Sequence, residues 1–193
     1  MYELPVSVQI GEQSFTIRNR GDYRMVIDCF ICLEDEDLTE QERILACLII
    51  FYEDINDVDD ISIKFPDVNE AVKKMFWFFN SGQPEVNKGK KSVKLIDWDK
   101  DSVLVCSAIN NVAGTEIRAL DYLHWWTFMA YYMAVNESFL SHIINIRSKI
   151  ANGKKLEKHE KEFKAENPQY FMVDFRTAEE KQADSFIRSL WGQ

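Results

Sequence analysis

The chain has 193 residues, 46% of them hydrophobic, enough to bury roughly 70% of its unfolded surface in one sizeable core without disulfides or metals. Its net charge of −9 argues against strong general binding to nucleic acid, which depends on Lys and Arg neutralising phosphates. The four cysteines, Cys29, Cys32, Cys47 and Cys106, lie in apolar surroundings, which favours buried free thiols in a reducing compartment over a disulfide framework.

The residues Met1-Tyr2-Glu3-Leu4-Pro5 lack the basic and apolar regions of a secretory signal, and a cytoplasmic protein is expected. Val6 to Ile10 and Ser14 to Arg18 alternate with period two around Gly11-Glu12-Gln13, predicting a β-hairpin. From Asp22 the period changes. Tyr23, Val26, Ile27, Phe30 and Leu33 mark a helix that Asp22 can cap, and Glu34-Asp35-Glu36-Asp37 breaks it. Thr39 and Glu42 make a capping box ahead of Ile44, Leu45, Leu48, Ile49 and Tyr52, which places a second helix over about 40–53. Pro66 and Asp67 introduce a third through Val68, Val72, Met75, Phe76 and Phe79, ending near Ser81-Gly82. Residues 82–94, rich in Gly, Pro and Lys, read as a flexible linker or loop.

Asp101 can cap a fourth helix that runs to about Val112 before Gly114. An aromatic helix should follow from about Glu116 to Asn136, containing His124-Trp125-Trp126-Thr127-Phe128. Adjacent indoles on a helix point about 100° apart, so both are buried only if it is covered on more than one side. The fifteen residues between Asp121 and Glu137 are too few and too polar for a span, which needs roughly 20 apolar ones. Glu137-Ser138 begins the next helix, with Phe139, Ile143, Ile146 and Ile150 inward and Asn152-Gly153 as its end. A charged helix from Lys154 to about Glu166 closes before Pro168, and Thr177 to Trp191 forms the terminal element. The expected fold is mainly α, a single-domain helical bundle of about six to eight helices with a small N-terminal β-hairpin. Its parts are 1–81 (hairpin plus helices), 82–94 (linker or loop) and 95–193 (the helical part containing the tryptophan helix), in one compact domain overall.

Patterns that suggest chemistry fail on inspection. Asp97, Asp99 and Asp101 alternate as in a calcium loop, but Ser102 stands where Gly is required and Ala108 where a bidentate Glu belongs. Cys29-Phe30-Ile31-Cys32 has half-site spacing without a second Cys or His pair, and lies within an amphipathic helix rather than at a helix start after a strand. His124, His142 and His159 fall in three separate helices with no metal-ligand spacing, so packing or solvent exposure is expected for each. No nucleophile elbow and no phosphate loop occurs in the sequence. No enzyme activity, cofactor or metal is expected.

Charge is unevenly spread. Glu34 to Asp60 holds eleven acidic residues and one basic, Arg43, while Arg147 to Lys164 holds seven basic and three acidic. Lys154, Lys158 and Lys161 share a helical face, either a solvated surface or a docking face for a partner. Of Trp125 and Trp126, at least one should be core, leaving the other free to line a partner groove. Arg147 is a further candidate for surface contact.

The block from Leu123 to Phe128, then Ile143-Ile144-Asn145-Ile146-Arg147, Gly153-Lys154-Lys155-Leu156, Glu160-Lys161-Glu162-Phe163 and Asn167-Pro168 resembles the bacteriophage gene product fifteen family. These are small proteins encoded beside the tape measure in siphophages and prophages of Gram-positive bacteria. The opening, with Leu4-Pro5, the hairpin at Gly11 and Asp22-Tyr23-Arg24, is similar to that family's start. One departure is Gly114-Thr115-Glu116-Ile117, where the family usually has Ile-Asp-Leu ahead of the tryptophan helix.

The resemblance implies a tail assembly chaperone, acting in the cytoplasm of the bacterial host and absent from the mature virion. It would bind the tape measure protein and help recruit tail tube protein, without nucleic acid or membrane, and with a homo-oligomer open. A structural tail or head-tail component, a nucleic-acid-binding phage regulator and an enzyme are the other classes.

Overall fold

A computed structural model of the chain describes residues 3–84 and 95–172. Most of the expected linker, and the terminal element from Thr177 to Trp191, therefore lie outside the described residues. Among the described residues there are eight α-helices and one two-stranded antiparallel sheet, as the sequence predicts. The chain divides into two compact units, Met1–Asn87 with Cys106–Val135, and Lys88–Val105 with Asn136–Gln193. These boundaries differ from a division at 82–94: the tryptophan helix belongs with the amino-terminal elements.

In the first unit, β1 (Ser7–Ile10) pairs with β2 (Gln13–Thr16), with Val8 opposite Phe15. Gly11 takes φ +58° in the two-residue connection, the left-handed conformation a tight hairpin turn needs. The alternation faces Val8, Ile10 and Phe15 into the core and leaves Ser7 and Gln9 exposed. Helix α1 (Tyr23–Leu33) is capped by Asp22, which accepts from the Arg24 N–H. Helix α2 (Glu40–Phe51) begins with the predicted Thr39 and Glu42 capping box, and α4 (Val68–Phe79) is capped by Asp67.

Between them lies α3 (Val58–Lys64), capped by Asp57, which has no counterpart in the predicted elements. At seven residues, with Val58 and Ile63 exposed, it carries too little periodicity to be read from pattern. Arg18 closes α2 from the other end: its Nη2 donates to the carbonyls of Ile49, Tyr52 and Ile55 at 3.2, 3.0 and 2.9 Å. One guanidinium thus gathers carbonyls of the last turn of α2 and of the segment that follows it.

The core of this unit is aromatic. Phe51 meets Tyr52, Phe78 and Phe79 with ring centroids 4.8–5.6 Å apart, and Phe30 meets Phe79 at 5.2 Å. Helix α6 (Trp125–Ala134) closes it, stacking Phe128 on Tyr23 at 4.7 Å. The observed α6 is shorter than the predicted stretch from Glu116 to Asn136. Residues Ile117–Ala119 form a separate 3-10 turn, and Leu120 to His124 is extended to meet the start of α1.

Helix α5 (Ser102–Ala113) follows Asp101 as expected. In the second unit, α7 (Phe139–Ala151) starts at a Ser138 and Ser141 capping box. Helix α8 (Lys158–Glu166) begins four residues later than predicted, because Glu157 and Glu160 form its capping box. Pro168–Phe171 adds a 3-10 turn. Phe139 packs on Phe163 and Tyr170, and His142 on Phe163. The buried apolar side chains described in this unit are few: Val105, Leu140, Ile143 and Ile146.

Candidate functional site

The tryptophan pair is explained by what it binds. Trp125 Nε1 donates to the Phe79 carbonyl and Trp126 Nε1 to the Phe78 carbonyl, both at 2.9 Å. Consecutive indoles at the start of α6 thus serve consecutive carbonyls at the end of α4, adding a second donor at Phe78, whose carbonyl also accepts from the Ser81 N–H at 3.0 Å. Trp125 is 1% exposed and stacks on Phe128 at 5.3 Å. Trp126 is half-buried and meets Trp77 edge-on at 5.4 Å. Gly82, at φ +76°, passes so close that an added Cβ would lie 2.9 Å from the Trp126 ring. The expectation of one core tryptophan is met at Trp125, while Trp126 and Trp77 form a partly open pair beside it.

The start of α6 is held by a polar cluster that the packing reading of His124 did not anticipate. His124 Nδ1 accepts from the Trp126 N–H at 3.0 Å, so the proton sits on Nε2, which donates to the Pro5 carbonyl at 3.0 Å. Burial pushes the His124 pKa below its ordinary value, against the opposing pull of the Pro5 carbonyl and Asp22. Asp22 Oδ2 accepts from the Leu123 N–H at 2.9 Å while Oδ1 caps α1. The Tyr23 N–H donates to the Leu123 carbonyl at 2.9 Å. Capping by His is uncommon beside Ser, Thr, Asp or Asn, which is why the sequence did not signal it.

Arg147 corrects the expectation of a surface residue. It is 1% exposed, and its Nη2 donates to Asp101 Oδ1 at 3.0 Å while Nη1 donates to Asp101 Oδ2. Further bonds run from Nε to the Tyr170 carbonyl at 2.8 Å and from Nη1 to the Leu95 carbonyl at 3.0 Å. A bidentate guanidinium surrounded by acceptors is what permits burial of such a charge. The same bonds occupy Asp101, and its Oδ2 also accepts from the Asp97 N–H. The alternating carboxylates of 97–101 thus form a structural turn.

Lys154, Lys158 and Lys161 are exposed, as is Lys155, but Lys154 and Lys155 lie in the segment ahead of α8, so of the expected helical face Lys158 and Lys161 alone are on the helix. Lys158 reaches only Glu162, at 3.8 Å with its side chain 93% exposed. This face remains available to an acidic partner. Beneath it, Glu160 is buried and paired with Lys149. That hydrogen bond, with one from the Glu157 N–H, holds its carboxyl below the usual range.

The thiols do not form a reactive site. Cys29 and Cys47 are fully buried, with Cys47 Sγ 3.3 Å from the Cys29 carbonyl. Cys32, half-buried rather than buried, is pushed up to about 11 by desolvation and its neighbours, so it stays a protonated thiol at neutral pH. Among the described residues no group of three or more His, Cys, Asp or Glu is placed to hold a metal ion, and no helix is long and apolar enough to cross a membrane.

One surface feature has no counterpart among the sequence expectations. A shallow groove of about 430 Å³ opens between β1 and α4, lined by Ser7, Val8, Gln9, Lys73, Lys74 and Trp77. Its sequence signal is faint: Trp77 within the aromatic run Phe76 to Phe79, and polar residues alternating on β1.

Among known proteins, the family model described as Bacteriophage Gp15 protein matches residues 1–171, a span ending at the Pro168–Phe171 turn. No curated protein and no solved structure matches the chain. The match covers both tryptophans, the Arg147 cluster and the lysine face, and the chain belongs to the Bacteriophage Gp15 protein family.

Proposed function

We propose that this phage protein is a tail assembly chaperone: it binds the tape measure protein in the host cytoplasm, keeps it soluble and extended, helps recruit tail tube protein, and leaves before the tail is complete. The observation that carries the reading is the family match over residues 1–171, joined to what the resemblance implies, that proteins of this kind are encoded beside the tape measure.

The surface chemistry supports it. A tape measure presents repeated amphipathic helical surface, which aggregates unless covered. The exposed Lys154, Lys155, Lys158 and Lys161 offer a basic face to acidic stretches of such helices. The net charge of −9 favours solubility of a chain coated with many copies. Modest affinity per copy, multiplied along one long partner, gives firm coating with easy release. The protein acts by binding and not as an enzyme.

The test is co-expression with the neighbouring tape measure protein. The tape measure should become soluble and co-purify with this chain, and the chain should be missing from purified virions by mass spectrometry. If it neither solubilises nor co-purifies with the tape measure, the chaperone reading fails. Its presence in virions would make it a structural tail or head-tail component instead.

A further inference from the structure

The two edges of the N-terminal sheet are treated differently. The outer edge of β2 is covered: Ile17 bridges to Tyr52, and the Glu53 N–H donates to the Thr16 carbonyl at 3.0 Å. On the other strand, the Ile17 N–H donates to the Val6 carbonyl at 2.9 Å. With Val8 opposite Phe15 and Ile10 opposite Gln13, the ladder bonds therefore belong to Val6, Val8 and Ile10. Ser7 and Gln9 turn their backbone N–H and C=O groups away from β2. Among the described residues no backbone group meets them.

An open edge of this kind is a template for a further strand. It is flanked by α4, whose Glu70 accepts from the Gly11 N–H at 3.0 Å and fixes the helix along the hairpin. One and two turns further along α4 come Lys73, Lys74 and Trp77, which line the groove with Ser7, Val8 and Gln9. Neither lysine forms an ion pair among the described residues. Trp77 is 37% exposed, its ring supported from behind by Trp126.

The geometry points to a docking groove in which an extended protein segment joins the hairpin as a third strand along β1, with an apolar side chain on Trp77 and an acidic one at Lys73 and Lys74. Main-chain bonds to Ser7 and Gln9 supply affinity, and the helix supplies selectivity, the division of labour expected of strand addition. Lys74 and Trp77 are separated by roughly 4.5 Å along the helix axis. Residues two apart on a strand are about 6.6 Å apart, so one segment can reach both from one face. Charge complementarity selects the occupant: two unpaired lysines beside a half-exposed indole fit an acidic and apolar segment and repel a basic one. This groove lies in the first unit and does not depend on which protein the chain serves. It could hold while the tape measure reading fails, or the reverse.

The test uses the full chain and the labelled peptide Thr-Asp-Thr-Val-Thr-Asp-Thr, acetylated and amidated, which places Asp, Val and Asp on one strand face. The expected result is saturable binding by fluorescence anisotropy, with slowed amide exchange at Ser7 and Gln9. Replacing both Asp by Lys in the peptide should weaken binding at least about tenfold, and the double substitution K73E/K74E should reverse that preference. Gln9→Pro removes a free-edge N–H and no bond between the strands, and it should abolish binding while leaving the thermal midpoint near wild type. If Gln9→Pro does not fold, methylating alternate amide nitrogens of the peptide makes the same test. No saturable binding up to millimolar peptide overturns the inference, as does binding indifferent to charge reversal and to amide methylation. A self-associating chain whose dimer is abolished by Gln9→Pro would replace the acidic segment with a second copy and likewise overturn it.

Discussion

The two units of this protein solve the problem of a stable core in opposite ways. The first encloses a continuous aromatic interior, in which Trp125, Phe128, Phe51, Phe78 and Tyr52 are fully buried and polar groups are confined to helix ends. The second buries little apolar area among its described residues and is tied instead by ion pairs with buried members, Lys149 with Glu160 and above all Arg147 with Asp101, whose remaining bonds reach Leu95 and Tyr170. Apolar packing tolerates partial damage, because neighbours relax around a lost group. A desolvated ion pair does not, since removal of either partner strands a charge. Loss of one partner of the Arg147–Asp101 pair should therefore unsettle the second unit as a whole, whereas loss of one ring leaves the first with a packed remainder.

The sharpest way to break this comparison is Arg147→Glu. It puts two carboxylates into one buried site, where losing a partner already costs about 3–5 kcal/mol. Hydrogen exchange should lose protection in α7 and α8 while α1 and α2 keep theirs; uniform loss would show that the units are not energetically distinct. Next comes Trp125→Ala, expected to cost about 3–5 kcal/mol through its cavity and the loss of its bond to the Phe79 carbonyl. Here chemical denaturation should report a weakened first unit, with exchange in α7 unchanged.

A smaller effect is acid sensitivity at His124. Its folded pKa lies below the ordinary 6.5, so its contribution is fully present above about pH 6.5. It is lost as pH falls toward the folded value, when the unfolded chain takes up the proton first. Protonation would place a hydrogen on Nδ1 opposite the Trp126 N–H. The protection factor of the Trp126 amide, its exchange taken relative to the intrinsic rate at each pH, should fall between pH 7 and 5, and His124→Ala should flatten that dependence at a cost of about 1 kcal/mol for the lost cap. The smallest structural effect belongs to Lys154, Lys158 and Lys161 changed together to Ser. The thermal midpoint should not move, while co-purification with the tape measure protein should fall.

Local signals carried most of the fold. The hairpin, α1, α2, α4 and α7 were legible because each combines a periodic apolar face with a cap residue or turn at its end: Gly11, Asp22, Thr39 with Glu42, Asp67, Ser138. Where the deciding partner is distant, the pattern misleads. Leu120, Tyr122 and Leu123 fit a continued apolar helix face, but Asp22 draws the Leu123 amide into an extended bridge from about a hundred positions away. Arg147 stands in a basic stretch that reads as solvated, and its carboxylate partner lies 46 residues earlier. Among the candidate site residues, the three lysines are as exposed as the charge pattern suggested and Trp125 as buried as aromatic helices usually are. The β1 groove is not legible in the sequence because edge exposure is a property of pairing, which no single segment encodes.

The bond from the Leu123 N–H to Asp22 spans 101 positions, and this has a consequence for how the chain is made. At roughly 5–20 residues per second, a ribosome needs about 5–20 s to travel from Asp22 to Leu123. Throughout that interval the indoles that close the end of α4 do not yet exist, and the aromatic faces of α1, α2 and, once made, α4 wait without that cover. The arrival of the tryptophan pair is then the event that seals the first unit, and a nascent chain halted just before it should attract general chaperones that one halted well beyond it does not.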